Sequence, residues 1–243
     1  MSEGSIYITP SGPGRERERA GWNMPPVAKA CQWQFLKDLE VMAAIMVFAR
    51  RSSLTTARRS LSTSGIVTTE MRGDGVAVVT LNAPERLNAM TVEMGQAFEA
   101  TVGSLRQLPP TELKAVVVTG AGRAFSAGGD LDWLMERHRD APTNNAKIMR
   151  DFYGRFLSVR RLEVPVVAAI QGPAIGAGFA VACACDLRVA APSAKMGITF
   201  VGLGLPPGMG STHWLPSIVG PQIANALVLT GDVVDGTEAA RLG

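Results

Sequence analysis

Two glycine-rich segments carry residue types suited to chemistry on an oxygen atom. Phe-Ser-Ala-Gly-Gly-Asp-Leu occupies residues 125–131, and Gly-Pro-Ala-Ile-Gly-Ala-Gly occupies residues 172–178. Each follows an apolar run typical of a buried strand and precedes a helix-like segment. Small residues let a ligand approach the main chain closely, and the first turn of a helix offers unpaired N–H groups at the positive end of its dipole. Such a turn can hold an anion, or an oxygen that becomes anionic during a reaction.

Either segment alone is equally consistent with tight packing of a helix on a strand. A dinucleotide-binding turn is a weaker alternative, because the third glycine is missing after Gly176-Ala-Gly178. No acidic residue follows about 20 positions later at a strand end, where such a fold needs one. The pairing of the two segments therefore carries more information than either one does.

Strands that alternate with helices must position these turns. The predicted strands are Val76–Leu81, Ala115–Thr119, Val164–Ile170 and Leu187–Ala190, with a strand and loop over Met196–Leu205. The predicted helices are Thr91–Leu108 with Thr91 as N-cap, one containing Ile148, Phe152, Phe156 and Val159, and two over residues 208–219 and 222–230. Asp140–Asn145 is predicted to be a polar loop. The alternation indicates an α/β fold of crossover units without choosing among such folds.

Composition excludes several partner classes. The 243 residues are 47% hydrophobic, which is enough for one substantial core or two small domains. The net charge is only +3, and the first predicted core helix carries Glu93 and Glu99 against Arg106, so we expect no nucleic-acid partner. Every apolar run is much shorter than the ~20 residues that a helix needs to span a bilayer, so we expect no membrane partner. Three cysteines do not suggest a disulfide framework, and Cys183 and Cys185 are predicted to be core residues rather than metal ligands.

The N-terminal part differs in composition from the rest. Residues 1–64 are predicted to form a disordered extension ahead of a globular domain over residues 65–243. Within the extension, residues 46–64 are rich in Arg, Ser and Leu and contain no Asp or Glu, which is typical of a mitochondrial transit peptide. Because such peptides begin at the N-terminus, one hypothesis takes Met46 or Met42 as the initiator, and the alternative is an ordinary basic linker. The transit-peptide interpretation predicts a mitochondrial protein, and the linker interpretation predicts a cytoplasmic one.

The order of the motifs resembles a known superfamily. The two glycine-rich segments are followed by Asp186-Leu-Arg-Val-Ala-Ala191, Gly204–Thr212 and Leu229-Thr-Gly-Asp232. Over residues 76–243 the chain resembles the crotonase (enoyl-CoA hydratase/isomerase) superfamily. The resemblance implies an α/β fold of ββα units wound into a spiral, an acyl-CoA thioester as ligand, and no cofactor beyond the coenzyme A of that substrate. It also implies a chain truncated at its C-terminus, because helices that follow residue 232 in relatives close the acyl pocket and build trimers. A homotrimer or hexamer is implied if those helices are supplied.

The resemblance assigns roles to individual positions. The two main-chain amides that stabilise an enolate oxygen fall on Gly129 and Ala177. Positions that bind substrate in relatives are Arg86, Asn88, Ala89, Ala127, Gly128 and Gly176. The two glutamates that activate water and deliver a proton in the hydratases fall on Ala180 and Phe200, neither of which can transfer a proton.

Few side chains could replace the missing acid and base. His213 is one candidate, although a buried structural histidine is the favoured interpretation. Asp132, Glu136 and His138 are others, with solvated helix residues as the favoured interpretation. We therefore expect a family member of fatty-acid or branched-acyl-CoA metabolism with atypical or weak hydratase chemistry. The alternatives are an acyl-CoA decarboxylase and a thioester-binding protein without catalysis.

Overall fold

The computed structural model describes residues 59–60 and 65–243 of the chain. The predicted extension and transit peptide lie outside the described residues, except for Arg59–Ser60. These two residues form strand β1, which pairs antiparallel with β2 (Val67–Met71). The sheet thus includes two residues ahead of the predicted domain boundary at Gly65. Among the described helices, none combines the length and the apolar character that a membrane span requires.

A six-stranded mixed sheet forms the first layer. Besides β1 and β2, it contains β3 (Val76–Leu81), β4 (Ala115–Gly120), β5 (Val166–Ile170) and β7 (Leu187–Ala190). The order is β1-β2-β3-β4-β5-β7, with β1 to β3 antiparallel and β3, β4, β5 and β7 parallel. Every residue of β4 and β5 is buried, which explains their continuous Val- and Ala-rich runs.

Short segments after these strands build a second layer. Strand β6 (Ala174–Ile175) pairs with β8 (Lys195–Gly197), which pairs with β9 (Val234–Asp235). Isolated bridges join Ser126 to Ala174 and Met90 to Gly129. Each parallel strand of the first sheet is therefore followed by a short segment of the second layer and then by a helix. This repeat is the predicted spiral of ββα units.

Seven α-helices complete the described part of the chain. They are α1 Val92–Arg106, α2 Leu131–His138, α3 Pro142–Leu157, α4 Ala177–Ala184, α5 Ser211–Val219, α6 Pro221–Thr230 and α7 Gly236–Leu242; 3-10 helices cover Pro84–Arg86, Ser158–Arg161 and Thr199–Leu203. The prediction of a polar loop through Asn145 is wrong. Pro142 opens α3 because its fixed φ suits a first helical position, and the Asn145 amide donates to the Ala141 carbonyl.

Aromatic rings pack together between helices α1, α2 and α3. Phe98 of α1 lies 5.8 Å from Phe156 of α3, measured between ring centroids. Phe152 of α3 lies 5.3 Å from Phe156 and 4.5 Å from Trp133 of α2. Phe98, Phe152 and Phe156 are buried. The buried face of α1 therefore packs on α3, and the short helix α2 is held against α3.

Replacing Thr91 by Ala should weaken the fold measurably. The Thr91 hydroxyl accepts a hydrogen bond of 3.1 Å from the Met94 amide at the start of α1. Its loss should lower the free energy of unfolding by about 1 kcal/mol, whereas Thr91→Ser keeps the acceptor and should stay close to the parent. Urea unfolding followed by circular dichroism measures both. Equal midpoints for Thr91→Ala and the parent would contradict the cap.

Candidate functional site

The two glycine-rich turns are in direct contact. The Ile175 amide donates to the Ser126 carbonyl at 2.9 Å, so β6 pairs with the first turn. A Cβ added to Gly178 would lie 2.7 Å from the Ser126 carbonyl oxygen, which means that α4 begins against that turn. A Cβ added to Gly128 would lie 2.6 Å from the Ile175 carbonyl oxygen and 3.5 Å from the Ala177 nitrogen. No side chain therefore separates Gly128 from the first peptide group of α4.

The amides of Gly129 and Ala177 have no acceptor in the described part of the protein. Met90 donates to the Gly128 carbonyl at 2.7 Å and accepts from the Asp130 amide at 3.1 Å. In this parallel bridge the N–H of the intervening Gly129 faces away from Met90. Ala177 is the first residue of α4, where an N–H has no intrahelical partner. Both residues line one cavity of about 1050 Å³.

Asn88 holds the first turn from inside. Its side chain is fully buried, accepts from the Ala83 amide at 2.9 Å and donates to the Ala124 carbonyl at 2.8 Å. The Ser126 hydroxyl donates to the Asn88 carbonyl at 2.8 Å and accepts from the Gly128 amide at 3.2 Å. Asn88 is absent from the cavity wall. It positions the turn, and the prediction that it contacts substrate is not supported.

The other predicted substrate-binding residues all line the cavity: Arg86, Ala89, Ala127, Gly128 and Gly176. The half-exposed Arg86 guanidinium donates to the Asp130 carboxylate. The other oxygen of that carboxylate accepts from the Trp133 amide at 2.9 Å and caps α2. Asp130 therefore ties a cation of the cavity wall to the N-terminus of α2.

The two positions that the resemblance assigns to the family glutamates differ in their surroundings. Phe200 is buried in the cavity wall, next to Thr199. Ala180 is fully buried in the core and does not line the cavity. The ionisable residues that the described chain contributes to the wall are Arg86, Asp130, Arg137, His138, Asp140 and Tyr153. No glutamate belongs to this described wall.

The four candidate replacement groups do not converge. His138 lines the cavity from the last turn of α2, but Asp132 and Glu136 are exposed on that helix and do not line it. His213 is also outside the cavity wall, and it is exposed on α5 with its ring edge-on to Trp214 at 4.4 Å. The favoured interpretation of His213 as a buried structural residue is therefore wrong. His213 lies on the solvent-facing side of α5, whose buried face carries Ser211 and Leu215.

Asp140 and Tyr153 also line the cavity, and neither was among the residues predicted for the site. The Asn144 amide donates to the Asp140 carboxylate at 2.8 Å and, with the nearby Arg137 guanidinium, lowers the pKa of that group. Burial raises the pKa of Tyr153 above its usual 10.0. One sequence feature could have indicated Tyr153, namely that it directly follows the predicted core residue Phe152. Adjacent helical residues lie about 100° apart around the axis, so Tyr153 is expected at the edge of the buried face.

Cys183 and Cys185 are confirmed as core residues. Both are buried on or beside α4, and burial raises the pKa of each thiol to about 12. A thiol with such a pKa stays protonated at neutral pH and is a poor nucleophile and metal ligand. Within residues 59–60 and 65–243, no group of three metal-binding side chains occurs.

Comparison with known proteins gives one consistent family. Residues 71–243 match the family described as enoyl-CoA hydratase/isomerase. The chain is 41% identical to "Probable enoyl-CoA hydratase EchA14" of Mycobacterium tuberculosis over 168 residues, covering 69% of this chain and 64% of the relative. It is 35% identical to a crotonyl-CoA hydratase of Syntrophomonas wolfei, covering 69% and 63%. The chain thus spans less than two thirds of these relatives.

A solved structure from Thermobifida fusca YX, in complex with acetoacetyl-CoA, has the same fold. It is 32% identical to this chain, with a TM-score of 0.64, and the match covers 73% of this chain and 71% of that one. The predicted superfamily and α/β fold are confirmed by these matches.

Replacing Asn88 by Ala should destabilise the protein strongly. The change leaves the Ala83 amide and the Ala124 carbonyl without their side-chain partner in the interior. We expect a loss of about 2–4 kcal/mol in the free energy of unfolding. Asn225→Ala, on the exposed face of α6, is the matched control and should change it by less than about 0.5 kcal/mol. Similar urea midpoints for the two variants would show that Asn88 does not hold the turn.

Proposed function

The chain belongs to the enoyl-CoA hydratase/isomerase family, and we propose that its cavity binds an acyl-CoA thioester with the carbonyl oxygen between the Gly129 and Ala177 amides. The observation that carries this proposal is that Gly129 and Ala177 line the same cavity, and that their N–H groups have no acceptor among the described residues. When a thioester becomes an enolate, its carbonyl oxygen gains negative charge. Preoriented N–H donors stabilise that charge, and losing one typically raises the barrier by a few kcal/mol.

The rest of the cavity wall suits the two ends of such a ligand. Apolar side chains from α2, α3 and the second layer provide a surface for an acyl group: Leu134, Met149, Phe152 and Ile175. An apolar wall also strengthens the amide–oxygen interaction, because it lowers the local dielectric. At the same cavity, the half-exposed Arg86 guanidinium offers a donor for the phosphates of coenzyme A. This division supports an acyl-CoA as the ligand, whereas fatty-acid or branched-acyl metabolism and the absence of a further cofactor remain predictions.

We further propose that hydration by this protein is weak or atypical. Hydration adds the hydroxyl of water to the β carbon and a proton to the α carbon, and each general acid or base contributes about 10²–10⁴-fold. Ala180 and Phe200 supply neither group. Decarboxylation needs only stabilisation of the enolate and is the alternative reaction, whereas binding without turnover is the alternative outside catalysis. The trimer or hexamer and the mitochondrial location remain predictions.

Binding of butyryl-CoA to the purified chain tests the ligand. We expect saturable binding by isothermal titration calorimetry that is at least tenfold tighter than binding of free coenzyme A, because the amides recognise the thioester carbonyl. Gly128→Ala should abolish this difference. Its added methyl meets the Ile175 carbonyl, and φ of +96° disfavours a side chain at this position.

Gly103→Ala provides the matched control for that variant. A Cβ at Gly103 on α1 meets no atom within 4 Å, so both the fold and the binding should persist. Equal affinity of the parent for butyryl-CoA and free coenzyme A would contradict an oxyanion site at Gly129 and Ala177.

Introducing a carboxylate at Phe200 tests the missing base. Because Phe200 faces the cavity, Phe200→Glu should raise hydration of crotonyl-CoA at least about tenfold over the parent. Phe200→Gln has nearly the same shape without the base and should show no rise. Loss of the enoyl absorbance measures the rate. Rapid hydration by the parent, or equal rates for the Glu and Gln variants that still bind thioester, would contradict the proposed role of this position.

A further inference from the structure

The proposed chemistry makes no use of the hydroxyl of Tyr153. Tyr153 lies on α3 and lines the same cavity as Gly129 and Ala177. Its hydroxyl forms no hydrogen bond with any residue that the structure describes. Buried or half-buried tyrosine hydroxyls usually have a partner, because an unpaired one loses its bonds to water. The Tyr153 hydroxyl is therefore a donor available to a molecule in the cavity.

The neighbourhood of the ring is built around this hydroxyl. A Cβ added to Gly208 would overlap the Tyr153 hydroxyl and lie 2.7 Å from the ring carbon Cζ. The hydroxyl thus occupies the space that any side chain at position 208 would take. Close by in the sequence, Leu205 and Pro206 also line the cavity, and Phe152 packs 6.0 Å from the Tyr153 ring. The donor accordingly lies in a largely apolar part of the wall.

Burial also favours the protonated form of the Tyr153 hydroxyl. Removal from water disfavours the phenolate and raises the pKa of Tyr153 above 10.0. The hydroxyl therefore keeps its proton at neutral and mildly alkaline pH. In that form it donates one hydrogen bond to an acceptor oxygen.

We propose that Tyr153 is a specificity-determining residue that donates a hydrogen bond to an oxygen atom on the acyl chain. This inference rests on the proposed function, since its ligand is an acyl-CoA. The preferred substrates are then acyl groups with a hydroxyl, oxo or carboxyl oxygen beyond the thioester carbonyl. An unsubstituted acyl group would displace water from the Tyr153 hydroxyl and offer it no acceptor, and such unpaired polar groups are the strongest source of discrimination.

A pair of esters with equal carbon number tests this preference. The parent should bind 3-hydroxybutyryl-CoA about three- to tenfold tighter than butyryl-CoA in calorimetric titrations at pH 7.5, as expected for one hydrogen bond to a neutral acceptor. Tyr153→Phe should lose the preference and bind butyryl-CoA at least as tightly as the parent, because butyryl-CoA no longer leaves a hydroxyl unpaired. The ring remains, so the apolar contacts of the wall are unchanged.

Gly208→Ala tests the same group without removing it. Its methyl displaces the end of the Tyr153 side chain, and the preference should fall as it does in Tyr153→Phe. Gly154→Ala adds a methyl on α3 beside Tyr153 where no atom lies within 4 Å, and it should keep the full preference.

The outcomes separate this inference from the proposed function. If the parent binds both esters equally, or if Tyr153→Phe keeps the preference, the role of Tyr153 is overturned while acyl-CoA binding stands. If the parent binds neither ester, both proposals are overturned together.

Discussion

The site depends on the close approach of two backbone turns that only glycine permits. Gly128 lies against the Ile175 carbonyl, and Gly178 lies against the Ser126 carbonyl, each without room for a Cβ. A side chain at either position would push the turn after β4 away from the start of α4. Because Gly129 follows Gly128 directly and Ala177 precedes Gly178, the same contacts determine where these two N–H groups lie. The chemistry of the cavity is therefore a consequence of main-chain packing.

Two side-chain amides, the buried Asn88 and the half-buried Gln171, maintain this contact where regular secondary structure ends. Main-chain groups of the loop after β4 would be unpaired in the interior, which is costly. The Gln171 side chain donates to the Gly120 and Ala124 carbonyls at 2.6 and 2.7 Å. Asn88 follows β3 in the chain, whereas Gln171 follows β5. The Asn88 side chain also donates to the Ala124 carbonyl of this loop. Two amides thus replace the missing ladder and hold the loop between β3 and β5.

The cavity wall combines two glycine-rich turns with ionisable side chains that, among the described residues, include no glutamate. The amides of Gly129 and Ala177 need no particular side chain, so the stabilisation of an enolate is compatible with wide changes around them. Of the two positions that the resemblance assigns to the family glutamates, Ala180 lies in the core and Phe200 lies in the apolar part of the wall. Tyr153 and Asp140 add polar atoms elsewhere on that wall.

The sequence by itself determined the elements whose signals are local. Strands β3 and β7 have the predicted bounds, and α1 begins after the predicted cap Thr91, because apolar period and capping are encoded within a few residues. The glycine-rich motifs likewise marked both turns. Only the tertiary structure decided which side chains face the cavity. Asn88 lies inside the protein, and His213 lies outside, because these orientations depend on how distant elements pack, and a pattern along the chain does not contain that packing.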